Sequence, residues 1–263
     1  MCENINAKAL LCEAVSKTII NSEIFILNFF WNGVPPKAGQ FFMIKPQRSS
    51  VFLGRPISIN EFDAEKGIVK FLIAIKGKGT LELSQMQAGD KALLIGPLGN
   101  SWADFLPENG KAALVGGSAG VAPLAAIIAE KPDYHFHFYA GFKNGFLSKE
   151  EENAVLGDAV YAKKLVVSAE DGRNAMFSGR IVDYLFNIKD YDVIFACGSM
   201  PMLKSVVQKC KAEGNTRCYI SIESRMACGV GACLGCTVRT IKGNQSCCTD
   251  GPIFPAEDLL FNE

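Results

Sequence analysis

A β-barrel followed by a parallel α/β sheet and a small cysteine-bearing unit is the fold class that these 263 residues predict. Three observations predict it. Up to about residue 100, apolar residues fall in short runs separated by Gly, Pro, Asn and Asp. From Lys111 the rhythm changes to short buried-type strands alternating with helical stretches. Beyond Glu223 the chain crowds five of its ten cysteines into one segment. The boundaries fall at 1–102, 103–222 and 223–263.

In the first unit, strands are expected at 24–30, 40–44, 68–75 and 91–95. Asn32-Gly33, Pro35-Pro36 and Gly89-Asp90 punctuate them. Several antiparallel strands at such short spacing close into a barrel or stack as a sandwich, with one short helix expected at 81–86. In the second unit, strands at 112–115, 136–139, 165–168 and 193–196 alternate with helices at 121–129, 181–186 and 202–212. That alternation predicts a parallel sheet covered on both faces. A last strand at 218–222 leads into the cysteines.

With 27 basic and 27 acidic residues the chain is formally neutral, which offers nothing to nucleic acid or to an anionic membrane. Apolar stretches such as 112–115 and 121–129 are far too short to span a bilayer. The opening Met-Cys-Glu-Asn has neither the basic n-region nor the apolar h-region of an export signal. Ten cysteines without such a signal fit a reducing cytoplasm. Cys2, Cys12, Cys210 and Cys218 lack ligand spacing and read as small core or surface residues.

Four residues separate Cys228 from Cys233, two separate Cys233 from Cys236, and eleven lie between Cys236 and Cys248. This is the plant-type spacing of a [2Fe-2S] cluster, in which four thiolates hold two irons. Gly229, Gly231 and Gly235 free the backbone to fold over such a cluster and aim N–H groups at its sulfurs. Structural zinc sites show two short knuckles instead, whereas here three ligands are grouped and one is distant. Cys247 and Cys248 are adjacent, so in an extended segment only one of them faces inward. Spacing alone leaves both open. A centre of this kind moves one electron at a time, so the chain reads as part of an electron-transfer protein.

Other motifs are individually weaker. Gly54-Arg55-Pro56-Ile57-Ser58-Ile59 lies between two β segments, where Arg55 can neutralise a pyrophosphate and Ser58 can hydrogen-bond a flavin ring nitrogen. Alone, it reads as an edge strand that Pro56 keeps from pairing, with Arg55 solvated. Lys76-Gly77-Lys78-Gly79-Thr80 precedes the short helix and is either a phosphate-receiving turn or an ordinary tight one. Gly116-Gly117-Ser118-Ala119-Gly120 follows a strand and opens a helix, the context of a dinucleotide turn. It departs from G-x-G-x-x-G, and no acidic residue ends the next strand, where Lys143 lies. Cys197-Gly198 ends the fourth α/β strand, so Cys197 stands beside a nicotinamide or is merely a small buried residue. Glu170-Asp171-Gly172 ends the third, where either carboxylate meets a ribose hydroxyl or stands in a solvated loop. His135 and His137 share one strand face without a nearby ligand set and read as core or rim residues. No catalytic acid or base is expected.

In this order, the signals resemble the ferredoxin reductase-like flavoproteins. Glu223-Ser-Arg-Met-Ala-Cys-Gly-Val-Gly-Ala-Cys-Leu-Gly-Cys and Cys248-Thr-Asp-Gly-Pro-Ile-Phe narrow the likeness to the electron-transfer subunits of NAD-dependent (class 1B) dihydroorotate dehydrogenases. The resemblance spans nearly the whole chain. It implies FAD contacts at Arg55, Pro56, Ile57, Ser58, Leu72, Ile73, Ala74, Gly79 and Thr80, although family members carry a polar or basic residue near Ala74. It implies nicotinamide binding at Gly116, Gly117, Gly120, Pro123, Cys197 and Gly198, and favours Cys248 as the fourth cluster ligand beside Cys228, Cys233 and Cys236. It further implies an FMN-containing dihydroorotate dehydrogenase catalytic subunit as partner, in a two-plus-two heterotetramer. Electrons then run from that FMN through the cluster and FAD to NAD⁺, within pyrimidine (orotate, UMP) biosynthesis. Two rival assignments share part of the pattern: the small subunit of an electron-bifurcating NAD(P)H:ferredoxin oxidoreductase, and a zinc-bearing interaction module with no enzymatic role.

Overall fold

The structure, a computed structural model, describes residues 7–184, 187–214 and 216–261. Seven strands make the N-terminal sheet: β1 (Lys8–Ile19), β2 (Ile24–Phe30), β3 (Phe41–Pro46), β4 (Arg55–Ser58), β5 (Glu61–Asp63), β6 (Ile68–Ala74) and β7 (Lys91–Leu98). Helix α1 (Lys78–Gln85) links the last two. Their order is β4-β3-β7-β1-β2-β6-β5, antiparallel throughout. Register shifts at Ala14/Ser16 and Phe41/Met43 bend the sheet. It curls until β4 lies against β6. The end strands β4 and β5 do not pair, so the barrel is open. Its interior is aromatic: Phe42 meets Trp31 and Phe71 edge-on, with ring centroids 4.8 and 5.6 Å apart.

The second sheet takes β8 (Lys111–Gly117), β9 (His135–Phe142), β10 (Lys164–Ala169), β11 (Phe177–Ser178), β12 (Val193–Cys197) and β13 (Arg217–Ser221). They run parallel in the order β11-β10-β9-β8-β12-β13. Because the chain moves outward from β8 first on one side and then on the other, the order reverses between β8 and β12. That is where open α/β sheets gather ligands. The strands are apolar on both faces because both are covered. One face packs α2 (Val121–Glu130) and α3 (Lys149–Leu156) through Leu124, Ile127, Val155 and Leu156. The other packs α4 (Met200–Glu213) through Leu203, Val206 and Val207.

The cysteine segment adds a hairpin, β14 (Thr237–Thr240) and β15 (Gly243–Ser246), and then β16 (Ile253–Pro255), which joins the second sheet antiparallel to β13. Asn100, just past β7, clamps the same stretch: its N–H donates to the Gly251 carbonyl at 2.7 Å and its Nδ2 to those of Asp250 and Ile253 at 3.1 and 2.8 Å. Trp102, fully buried, ties the barrel to α2 by donating Nε1–H to the Pro123 carbonyl at 2.9 Å.

Some sequence expectations need correcting. The helix expected at 181–186 is a single 3₁₀ turn at Ile181–Asp183: Arg180 and Asp183 pair across it, and Tyr184 is already extended. Residues 185–186 of that expectation lie outside the described residues. Helix α3 and strand β1 are additions that the reading had not anticipated. Among the described residues, no helix is long and apolar enough to cross a membrane.

Candidate functional site

The cysteine loop runs between β13 and β14. Gly229 and Gly231 hold φ of 74° and 78°, left-handed values that turn the loop back on itself. This turns backbone donors onto sulfur: Val230 N–H toward Cys228 Sγ at 3.4 Å, Gly231 N–H toward Cys248 Sγ at 3.2 Å, and Gly235 N–H toward Cys233 Sγ at 3.5 Å. The sulfurs group in pairs. Cys236 Sγ lies 3.3 Å from Cys248 Sγ, and Cys233 is near enough to Cys228 to lower its thiol. Burial pulls Cys228 upward, but the Val230 N–H, the Cys233 thiol and further amides outweigh it and bring the thiol down to about 7. Cys248 is pushed up to about 12, by burial first and then by Cys236.

Cys247 is engaged elsewhere. Its fully buried Sγ donates to the Ile222 carbonyl at 3.2 Å, facing away from the other four. Among the described residues, no three Cys, His, Asp or Glu side chains converge on a single ion. Two thiol pairs are instead the donor set of a two-iron cluster, which takes two thiolates on each iron. The residues present fit that group.

A cavity of about 220 Å³ opens beside the loop. From the barrel come Arg55, Pro56, Ile57 and Ser58 of β4, Leu72, Ile73 and Ala74 of β6, and Thr80 of α1. Gly79 stands behind them: a Cβ there would lie 2.0 Å from Arg55 Nε, so only glycine lets the guanidinium settle on the start of α1. That first turn has no side-chain cap on its amides. Arginine and open amides together form an anion-accepting corner. Apolar strand residues beside an anion-accepting corner are the surroundings that a flavin ring and its pyrophosphate would need.

The second sheet supplies the opposite wall. Gly120, Ala122, Pro123 and Cys197 line the same cavity. Gly120 cannot be larger, since a Cβ would meet the Cys197 carbonyl oxygen at 2.4 Å. Cys197 is buried, and that burial first, with the Glu223 charge second, pushes its thiol up to about 12. It is a neutral group, with no capacity as a base. Gly117 lines a second cavity of about 280 Å³ instead. Gly116 and Gly198 line neither, standing where a Cβ would strike Val121 or Met202. The anticipated nicotinamide residues are therefore divided between two chambers.

A third wall was missed by the sequence reading. Glu223, Ser224, Met226 and Pro252 close the cavity from the segment that carries the cysteines, beside Ser221 at the end of β13. Glu223 pairs with Lys76 across the mouth at 3.6 Å. Glu223, Ser224, Met226 and Pro252 belong to the quoted family motifs but carried no cavity reading there; the run of the chain out of β13 and the pairing of β16 with it bring them to the cavity. The cysteine loop also rests on the barrel, where a Cβ on Gly229 would come 2.6 Å from Met43 Cγ. His135 and His137 sit at the far end of β9, their Nε2 atoms 3.1 Å apart, with Tyr191 Oη 2.9 Å from His137 Nδ1.

Residues 223–260 match the iron-sulfur cluster binding domain of dihydroorotate dehydrogenase B. The chain is 38% identical over 227 residues to the dihydroorotate dehydrogenase B (NAD(+)), electron transfer subunit, of Clostridium acetobutylicum, covering 86% of this chain and 87% of that protein. It is 37% identical over 252 residues to the protein so described from Caldanaerobacter subterraneus subsp. tengcongensis, covering 94% and 96%. Among solved structures, an NADH-dependent reduced ferredoxin-NADP oxidoreductase superposes with a TM-score of 0.80 at 24% identity, covering 96% of this chain and 91% of that one. A ferredoxin NADP⁺ reductase from Neisseria gonorrhoeae does so at 0.62 and 16%, covering 79% and 92%. The structural likenesses show a ferredoxin reductase-like fold. The identities, sustained over nearly the full length of both relatives, show that the chain belongs to the family of dihydroorotate dehydrogenase B electron transfer subunits.

Proposed function

We propose that the chain passes electrons between a dihydroorotate dehydrogenase catalytic subunit and NAD(H), holding FAD and a [2Fe-2S] cluster to do so. The observation that carries this reading is the junction at the first cavity, where barrel, nucleotide sheet and cysteine segment each contribute a wall. Bound there, FAD supplies the exchange between hydride and single electrons that a cluster and a nicotinamide cannot make directly.

The chain's own part is placement. Arg55 and the amides of α1 neutralise the flavin pyrophosphate, Ser58 offers a hydroxyl to the ring, and Leu72, Ile73 and Ala74 keep one face apolar. Gly120, Pro123 and Cys197 receive the nicotinamide end on the opposite wall. Cys228, Cys233, Cys236 and Cys248 hold the cluster, and the amides of Val230, Gly231 and Gly235 stabilise charge on their sulfurs. No side chain is asked to move a proton.

This reading takes 1–102 as the FAD domain, 103–222 as the NAD domain and 223–263 as the cluster domain. It makes the partner an FMN-containing subunit in a two-plus-two heterotetramer, working in the cytoplasm in pyrimidine synthesis. Anaerobically purified protein should carry FAD, iron and acid-labile sulfide, and NADH should bleach its flavin and reduce ferricyanide. Without the partner it should leave dihydroorotate untouched. Dihydroorotate turnover by this chain alone, or zinc in place of iron, sinks the proposal.

A further inference from the structure

We propose that the two imidazoles at the start of β9 form a binding site for a divalent late transition-metal ion, of the nickel, copper or zinc class. The chain has only two histidines, and the structure sets them face to face. His135 and His137 lie two residues apart on one face of the strand, with their Nε2 atoms 3.1 Å apart. An ion about 2.0–2.1 Å from each nitrogen would see the pair at an angle of about 100°, between a right angle and the tetrahedral one. A small rotation of the exposed His135 ring aims both lone pairs at that point, and the metal takes the place of the proton the rings share. The site lies at the N-terminal edge of the second sheet, opposite the strand ends that carry Gly117 and Cys197.

The far side of His137 is already arranged for this. Its Nδ1 lies 2.9 Å from Tyr191 Oη, which in turn lies 2.5 Å from Tyr139 Oη, so two buried tyrosines hold the ring from behind. With Nδ1–H donating to Tyr191, Nε2 carries a bare lone pair, and metal-bound histidines are oriented by such a partner. His135 is exposed, so its ring proton moves to Nδ1 and is received by solvent. Neither neutral ring loses a proton overall. Among the described residues no third Cys, His, Asp or Glu converges with the pair, so water fills the remaining positions. Two imidazoles suit nickel, copper or zinc, whereas calcium and magnesium ask for oxygen ligands. Lys111 and Lys164 stand beside the pair on the neighbouring strands, opposite His135 and His137 in register. Their ammonium groups lie over tyrosine rings, 4.9 Å from the Tyr191 centroid and 5.7 Å from those of Tyr139 and Tyr184. Their repulsion limits the affinity and leaves the Nε2 atoms open.

Equilibrium dialysis of untagged holoprotein against Ni²⁺, followed by metal counting, tests this. The wild type should take up one ion, and its NADH-dependent reduction of ferricyanide should be unchanged at saturation. His135→Ala, at an exposed position, should keep the fold and weaken binding at least about tenfold. Tyr191→Phe, which removes only the hydroxyl behind His137, should weaken it about tenfold. Cu²⁺ bound in its place should show EPR splitting from two nitrogens, which a thiol site cannot give. Should Tyr191→Phe fold poorly, His135→Ala still decides. No Ni²⁺ uptake, or uptake that His135→Ala leaves untouched, overturns the inference. The histidines would then be a hydrogen-bonded pair only, and any bound ion would belong to the thiols.

Discussion

Replacing Gly79 by Ala separates the flavin site from the stability of the fold. The added Cβ would lie 2.0 Å from Arg55 Nε, 2.6 Å from Cζ and 2.7 Å from Nη2, all well inside van der Waals contact. What must move is the far end of a flexible side chain, so the barrel itself loses nothing. Within the first turn of α1, alanine is the better helix former, by up to about 1 kcal/mol. The cost falls on the ligand: displacing the guanidinium removes a charge-assisted hydrogen bond to the flavin pyrophosphate, about 1.5–3 kcal/mol. Gly79→Ala should therefore bind FAD about 10- to 150-fold more weakly, while the flavin-free protein melts at or slightly above the wild-type temperature. Fluorescence titration of FAD into flavin-free protein, paired with a thermal melt, reads both quantities. Unchanged FAD affinity refutes the assignment of Arg55. Loss of stability in the flavin-free protein refutes the argument that only a side-chain tip is in the way.

The fourth cluster ligand can be read from iron content and visible absorption: Cys248→Ser should lose the cluster, whereas Cys247→Ser should keep it, since serine can still donate to the Ile222 carbonyl. At the seam, Trp102→Phe should cost about 1–2 kcal/mol in urea unfolding by leaving the buried Pro123 carbonyl unpaired, and Trp102→Ala about 3–5 kcal/mol by opening a cavity as well. His137 is held down to about 4, by burial first and then by Lys111, His135 and Lys164. Its folded value lies below its unfolded one, so the unfolded chain takes up the proton first. The stability it contributes is full above about pH 6.5 and falls away as pH drops toward 4. The loss should be about 1 kcal/mol after allowance for solvent screening. His137→Gln should flatten that part of the urea-unfolding pH profile.

What the sequence made legible followed the strength of the local constraint. Cysteine spacing is tied to the size of a cluster, so Cys228, Cys233 and Cys236 stand out in the sequence, whereas Cys247 and Cys248 differ only once the structure shows Cys247 donating to the Ile222 carbonyl. Alternating strands and helices betrayed the parallel sheet because each strand is covered on both faces. Strand β1 escaped notice because its wholly buried residues are the small Cys12 and Ala14, which leave only a faint hydrophobic alternation. Helix α3 is short and polar, although Ser148 accepting from Glu151 N–H, with Glu150 and Glu152 in the first turn, is a start signal that could have been read. The third cavity wall was out of reach in principle. Glu223 and Met226 reach the barrel because the chain leaves β13 at the sheet edge beside α1, and Pro252 reaches it through the pairing of β16 with β13, long-range placements no local pattern encodes.

The clamp at Asn100 decides how the carrier operates. A ferredoxin tethered by a slack linker must swing between donor and acceptor, so thick solvent slows it. Here the strip just after Cys248 is riveted to the barrel on one side and to the sheet through β16 on the other. The iron pair is a soldered joint rather than a shuttle. Electron flow through it should answer to separation and driving force, so the rate of cluster reduction should not fall as glycerol is added.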